Sequence, residues 1–428
     1  MSFVGNAWRT SVAFLILALL GLGMPALTGT RRLPATESNE LARLADFSPE
    51  SMPCGPSTWE ADQEAPTDKG SPPLGGDLSS LRCIADPYPT FNGVAVDPQN
   101  NLVVMSDTNR KSLLLYDRNG GGKSFGETPP LRQIAGPQTQ IGFVAGVLLD
   151  SQRREVYSVN NDIEDTLTVF SYDDQGNATP KRLLAVPHQS YAIGYSRASD
   201  EIAVSVQSLD AVVFYRREAK GVEAPVRSLI GRDTGLADPH GLYLDDVNKE
   251  ILVANHGNWA EGDVSAPSED DRDGGQFQNP SIKVFAANAS GNAKPIRDIA
   301  GPRTGLNWPM QIAVDTEHNE IAVANNGDHS ILIFRRTDSG DVAPVRVLSG
   351  PKTSINRPMG VAIDLRNNEL WVANFGDHTA LVFDLQAKGN AAPKRIIRNA
   401  PAGTPTIGFG NPMAAAYDTR RQEILVPN

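Results

Sequence analysis

The sequence predicts an all-β fold, a seven-bladed β-propeller of four-stranded antiparallel blades, and three observations carry that expectation. A unit of roughly 50 residues recurs along the chain. Each full unit contains four strand-like runs, and the two ends of the chain supply complementary parts of one further unit.

Every unit opens on a short apolar run that ends in Asp. The regular copies are Gly93–Asp97, Gly146–Asp150, Gly241–Asp245, Gln311–Asp315 and Gly360–Asp364; a degenerate copy starts at Gly194 and a last one spans Ala414–Asp418. The copy beginning at Gln311 shows the four runs most plainly: Ile312–Val314, Glu320–Ala324, Ser330–Phe334 and Val345–Leu348, called strands a to d. Turn residues rich in Asn, Gly and Asp separate them. Strand d opens on Pro-x-Arg or a close variant, placing Arg132, Arg182, Arg227, Arg297, Arg346 and Arg395 at one register. On an outermost strand, Pro and a long cation discourage pairing with other molecules, and Glu155, Glu201, Glu250, Glu320, Glu369 and Glu423 at the start of strand b are read the same way.

Ring closure is inferred from the ends. The last copy stops after strands a and b, at Glu423–Val426, while Leu81–Ala85 matches strand d and Ser57–Ala61 is the candidate for strand c. The expected propeller therefore covers residues 54–428, with its last blade shared between 54–86 and 412–428 and the N-terminal and C-terminal strands paired. Cys54 and Cys83 are the two cysteines of the chain, and in an exported protein such a pair predicts a disulfide. Upstream, Arg9 precedes the apolar run Ser11–Met24, which is shorter than the ~18 to 20 residues a bilayer span needs. Residues 1–26 read as a secretory signal and 27–53 as a flexible linker. The expected location is secreted or periplasmic, with membrane association only through an uncleaved signal.

The charge of −11 opposes a phosphate backbone and excludes nucleic acid as a partner. Catalytic motifs fail on inspection. Gly120–Ser124 lacks the first Gly of a phosphate loop, Glu317–Glu320 lacks the second His of a zinc protease helix, and no Gly-x-Ser-x-Gly elbow occurs.

Strand alternation sorts the loops: d-to-a and b-to-c connections share one face of the ring. That face collects the candidate ligand-binding residues His240, Asn255, His256, Trp308, Asn325, Asn326, Arg357 and Asn374. His240 stands where neighbouring copies carry Met310, Met359 and Met413, so a unique imidazole is expected beside the axis. Asn255, Asn325 and Asn374 end strand b, where Asn serves a local turn or presents an amide oxygen to a ligand. The acidic insert Gly257–Pro280 enlarges one b-to-c connection, as a binding loop or as a tolerated excursion. Its Asp271–Gly275 tract lacks the closing Glu of a calcium loop.

The tracts Val323–Ile331 and Val372–Thr379 resemble the strand–turn–strand core of NHL repeats, and Ala343–Gly350 followed by Pro358–Asp364 is similar to exported bacterial members of that family. The resemblance covers residues 81–428. It implies the propeller architecture and a range of roles in which recognition modules, sensor ectodomains and a few lyases all occur. Two functions stand as expectations. The first is an exported, non-catalytic, monomeric scaffold without cofactor that binds a protein, peptide or glycan on the d-to-a and b-to-c face. The alternative is a metal-assisted lyase or lactone hydrolase at the mouth of the channel, with an axial divalent ion held by His240, Asn255, Asn325 and Asn374. Lyases of the family rely on several His ligands, and this chain has six His in all, mostly in turns.

Overall fold

A computed structural model of the chain describes residues 88–122, 127–161, 164–257, 279–401, 404, 416–418 and 423–425. Blade 1 consists of β1 (Phe91–Asp97), β2 (Leu102–Asp107), β3 (Ser112–Asp117) and β4 (Arg132–Ala135). Blade 2 is β5 (Val144–Asp150), β6 (Glu155–Asn160), β7 (Thr166–Ser171) and β8 (Arg182–Ala185). Blade 3 is β9 (Ser190–Ser196), β10 (Glu201–Val206), β11 (Ala211–Arg216) and β12 (Arg227–Leu229). Blade 4 is β13 (Pro239–Asp245), β14 (Glu250–Asn255), β15 (Ser281–Ala286) and β16 (Arg297–Ala300). Blade 5 is β17 (Pro309–Asp315), β18 (Glu320–Asn325), β19 (Ser330–Arg335) and β20 (Arg346–Leu348). Blade 6 is β21 (Pro358–Asp364), β22 (Glu369–Asn374), β23 (Thr379–Asp384) and β24 (Arg395–Arg398). Each is an antiparallel sheet built from one unbroken stretch of chain, in the order a–b–c–d.

The expectation of seven blades is overturned: the ring closes with six. Blade 6 meets blade 1 directly, by the same contacts that join every other neighbouring pair. Between consecutive blades, strand d of one bridges the c-to-d turn of the next, as in Ile134 with Gly176, Leu229 with Gly291 and Leu348 with Gly389; the last pair repeats the device with Ile396 on Gly122 and Arg398 on Glu127. Inner strands also touch. A Cβ on Gly93 would lie 2.7 Å from the Ala145 carbonyl oxygen, and one on Gly360 would lie 2.6 Å from that of Asn92, so glycine here lets adjacent backbones approach. The C-terminal copy contributes β25 (Ala416–Asp418) and β26 (Glu423–Leu425), a separate two-stranded sheet. The counterpart expected at residues 81–85, the Ser57–Ala61 candidate, Cys54 and Cys83, and most of the acidic insert lie outside the described residues.

The repeat's signature residues each have a physical task. Asp97, Asp150, Asp245, Asp315 and Asp364 are buried at the end of strand a and accept backbone N–H groups of the following turn, for example Val247 and Asn248 on Asp245 Oδ1 at 2.9 Å. The degenerate third copy has Ser196 there. Its turn is instead capped by Asp246 of the next blade, which accepts from the Arg197 and Ala198 amides. Tyr116, Phe170, Tyr215, Phe285, Phe334 and Phe383 occupy the fifth position of strand c, all buried between sheets.

The strand d arginines correct a second expectation. They do not guard an exposed edge: those of blades 2 to 6 are only 12–19% exposed and pair across strand c with the glutamate that opens strand b. The pairs are Arg182–Glu155, Arg227–Glu201, Arg297–Glu250, Arg346–Glu320 and Arg395–Glu369. Several also reach the neighbouring blade, where Arg227 donates to the Ala287 and Ala289 carbonyls and Arg346 to those of Leu385 and Ala387. Planar guanidinium with several donors suits this double duty, which Lys could not perform.

Blade 1 breaks the pattern at the end of strand b. Asp107 stands where blades 2, 4, 5 and 6 have Asn160, Asn255, Asn325 and Asn374. Its carboxylate accepts from the amides of Thr90, Asn109 and Arg110 and from the Ser112 hydroxyl, yet complete burial outweighs these bonds and pushes it up to about 6. A raised folded-state value means that the native chain binds the proton more tightly, so stability rises as pH falls from 7 toward 4.5. With 3.8 as the unfolded value, wild type should gain about 2 kcal/mol over that interval relative to Asp107→Asn. Parallel urea curves for the two proteins at pH 7 and pH 4.5 would refute this assignment.

Candidate functional site at the axial mouth

The d-to-a and b-to-c connections meet at one end of the ring, where the site is assembled from three equivalent positions per blade. Strand a carries a register irregularity near its start in every blade, and a bulge re-aims the side chain within it. The residues so placed are Asn92, Ala145, Tyr191, His240, Met310 and Met359. They face the axis: the Tyr191 hydroxyl of blade 3 donates to Asn92 Oδ1 of blade 1 at 3.1 Å, passing the small Ala145 between them. The second position follows strand b and holds Thr108, Asn161, Gln207, His256, Asn326 and Phe375. The third precedes strand a. Here Asp238, Trp308 and Arg357 share a left-handed backbone, with φ of 49°, 51° and 51°. The same conformation recurs at Gln189 and in a-to-b turns such as Arg154, Lys249 and Asn319, so it belongs to the turn geometry of the repeat and here fixes the backbone that presents Trp308 and Arg357.

Blades 3 to 5 bring these positions together. Gln207 Nε2 donates to Asp238 Oδ1 and to His240 Nε2, each at 3.0 Å, and Asn161 Nδ2 donates to Gln207 Oε1 at 2.6 Å. His240 therefore carries its proton on Nδ1, which donates to the Asp238 carbonyl oxygen at 3.1 Å. His256 Nδ1 donates to Asp238 Oδ2, also at 3.1 Å. The rings form a continuous row of tilted and edge-on contacts: Tyr191 to His240 at 4.4 Å, His240 to His256 at 4.4 Å, and His256 to Trp308 at 4.7 Å. Trp308 ends the row at the surface, 49% exposed. Burial pulls the His240 imidazole down to about 4, so it is neutral at physiological pH. Burial acts to raise Asp238 as well, but the His256 hydrogen bond, the nearby His240 and Gln207 outweigh it, and its carboxyl titrates below the ordinary range.

Asp238, His240 and His256 offer one ligand atom each within 4.8 Å of one another, the group among the described residues that could hold a metal ion. The other expected positions serve differently. Asn325 Nδ2 donates to the Gly305 carbonyl and Ser330 hydroxyl while its Oδ1 accepts the Asn307 amide; Asn374 does the same with Ser354, Thr379 and Asn356. Their amides clamp the turn before strand a. Asn255 Nδ2 likewise donates to Gly235 and Ser281, but its buried Oδ1 has no hydrogen-bond partner among the described residues. Asn326 reaches the next blade, donating to the Met359 sulfur at 3.2 Å, and the Arg357 amide donates to His329 Nδ1. Beside Arg357, an open polar groove of about 610 Å³ runs between blades 5 and 6, lined by Asp328, His329, Pro351, Asn356 and Asp377.

Sequence reasoning singles out His240, His256 and Trp308, which the fold makes neighbours, places Asp238 on the same face without making it a candidate, and misses Gln207 and Tyr191. Asp238 falls at the variable x of the Asn-x-Pro-Met pattern of Asn307–Met310 and Asn356–Met359, so the departures legible in sequence are Ala237 for Asn and His240 for Met. Gln207 and Tyr191 lie in the degenerate copy, whose alignment to the others the structure supplies.

No family model matches the chain, and no curated protein matches it by sequence. Among solved structures, Kuenenia stuttgartiensis hydrazine synthase is 12% identical, aligning 71% of this chain with 79% of that one at a TM-score of 0.47. A nidogen/laminin complex aligns at 13% identity over 73% of this chain and 96% of that one, TM-score 0.46. The WD40 β-propeller domain of Doa1 aligns at 13% identity over 79% and 90%, also with a TM-score of 0.46. The description of this chain as a six-bladed propeller therefore rests on its own sheets and their closure.

Proposed function

We propose that the chain is an exported recognition module that binds a protein or peptide across the face formed by the d-to-a and b-to-c loops. One observation carries the reading. At that face the framework is the same from blade to blade, while the residues it presents diverge, giving Gln207, Asp238, His240, His256, Trp308 and Arg357 at positions that carry different side chains in the other blades. A ring of repeats needs no such variety for its stability, and propellers commonly serve as binding scaffolds. An exposed aromatic ring and an exposed arginine presented side by side on adjacent d-to-a turns suit a binding hot spot. The resemblance to NHL repeats, the signal-like N-terminus and the cysteine pair agree with an exported member of that group.

The test is affinity capture from envelope and extracellular extracts on the immobilised mature chain, comparing wild type with the Trp308→Ala/Arg357→Ala double variant. A partner retained by wild type should be lost by the variant, with at least a ~30-fold drop in affinity if both residues are hot spots. Equal capture by both proteins would move the binding surface elsewhere, and recovery of glycans alone would change the ligand class. The Asp238, His240 and His256 cluster favours one second reading, a metal-assisted lyase or hydrolase, whose signature would be turnover abolished by chelator and by His256→Ala.

A further inference from the structure

The cluster of Asp238, His240 and His256 has features that the recognition reading does not require. All three come from blade 4, two flanking the start of strand a and one following strand b, so a single sheet fixes them. The axial ion expected from sequence would instead draw its ligands from different blades. Both imidazoles turn Nδ1 toward the same carboxylate: His256 Nδ1 is 3.1 Å from Asp238 Oδ2, and His240 Nδ1 is 3.4 Å from Asp238 Oδ1. A tetrahedral ion with bonds of about 2.0–2.2 Å separates its ligands by roughly 3.3–3.6 Å. The two imidazole–carboxylate separations are near that spacing, and the three ligand atoms all lie within 4.8 Å of one another.

We propose that Asp238, His240 and His256 form a binding site for a divalent transition metal, with zinc the ion of best fit. Two imidazoles and one carboxylate are a donor set that such ions take in preference to calcium or magnesium, which favour oxygen. Three protein ligands leave a coordination position open for water or for a group of a bound ligand. Neutral imidazole binds through a lone pair, so each ring must carry its proton on Nε2 when Nδ1 ligates. For His240 that requires the Gln207 amide to turn over and present Oε1 to the Nε2–H, giving up its bonds to Asp238 Oδ1 and Asn161 Nδ2 as Asp238 turns to the ion; Gln207 then orients the ligand from outside the coordination shell. Trp308 packs edge-on to the His256 ring and covers it from solvent. The inference concerns metal binding and stands whether or not the face recognises a protein.

The experiment is zinc titration of the chelator-stripped chain, by calorimetry and by competition with a chromogenic chelator, with cobalt(II) substitution as a spectroscopic readout. One equivalent is expected per chain, and cobalt should give the visible absorption of a low-coordinate nitrogen and oxygen site. His256→Ala and Asp238→Asn should each weaken zinc by more than the ~10- to 100-fold that loss of an outer-shell partner costs. His188→Ala, at an exposed histidine outside the cluster, should bind like wild type. Circular dichroism and thermal melts establish that each variant is folded. Absence of stoichiometric binding by folded wild type would overturn the site, as would equal binding by folded His256→Ala and wild type, which would mark adventitious surface binding.

Discussion

Replacing Glu369 by Ala should lower stability by roughly 3–5 kcal/mol, the cost of leaving buried cations without their counter-charge. Glu369 is 4% exposed and receives Arg395 at 2.7 and 2.9 Å, Lys394 at 3.3 Å and, from blade 1, Arg118 at 3.1 Å. Arg118 is itself buried, and removal of the carboxylate leaves its guanidinium the longer 3.6 Å pairing with Asp364 as its counter-charge at the junction where the ring closes. The pH dependence identifies the mechanism. Burial acts to raise the Glu369 carboxyl, but Arg395 and Lys394 outweigh it and hold it below 4.5. A depressed folded-state value means that the unfolded chain takes up the proton first. The contribution is therefore complete above pH 4.5 and disappears as pH falls through the lowered value. Urea denaturation should show wild type losing stability in acid, with Glu369→Ala flatter over the same range. A loss below about 1 kcal/mol at pH 7 would show that the pair contributes little to closure.

Trp371→Ala, two residues along β22 from Glu369, should cost a similar ~3–5 kcal/mol through the cavity it opens. The indole is fully buried and shares a cluster with Phe91, Val94, Val103, Met105 and Tyr116 of blade 1, while Arg395 lies 5.4 Å from its ring centre. Its Nε1–H has no hydrogen-bond partner, so Trp371→Phe removes that orphan donor while keeping most of the apolar surface, and should recover most of the loss. Because Glu369 and Trp371 bracket one junction, the Glu369→Ala/Trp371→Ala double variant should lose less than the sum of the singles. Strict additivity of denaturation midpoints would argue that the two residues support separate interfaces.

Much of this architecture was written in the residues. Apolar runs closed by Asp predicted strand a and its turn, because a buried carboxylate that caps two amides must sit next to the strand it ends. The shared face of the d-to-a and b-to-c loops followed from strand alternation. The blade count did not follow. The C-terminal copy carries the pattern of strands a and b, and nothing local in Ala416–Asp418 or Glu423–Leu425 states whether that pair joins a ring. Closure is decided by the angle between neighbouring sheets, which depends on contacts such as Gly360 against Asn92 and Trp371 against Phe91, hundreds of residues apart in the chain. The arginine ladder was misread for a related reason. Pro-x-Arg looks like edge protection until the glutamate of strand b is seen two strands away on the same sheet. At the mouth, His240 stood out as a departure from Met, but Asp238 occupied a turn position that tolerates almost any residue, and its meaning came only from the two imidazoles placed around it.

Since every blade is one uninterrupted segment, none needs to wait for a strand from the far terminus before its sheet is complete. A nascent chain leaving the ribosome can finish the blades in order of synthesis, each docking on its predecessor. The contact between Arg118 and Glu369, separated by 251 residues, is then made last, as a fastening of two finished surfaces rather than the threading of a strand.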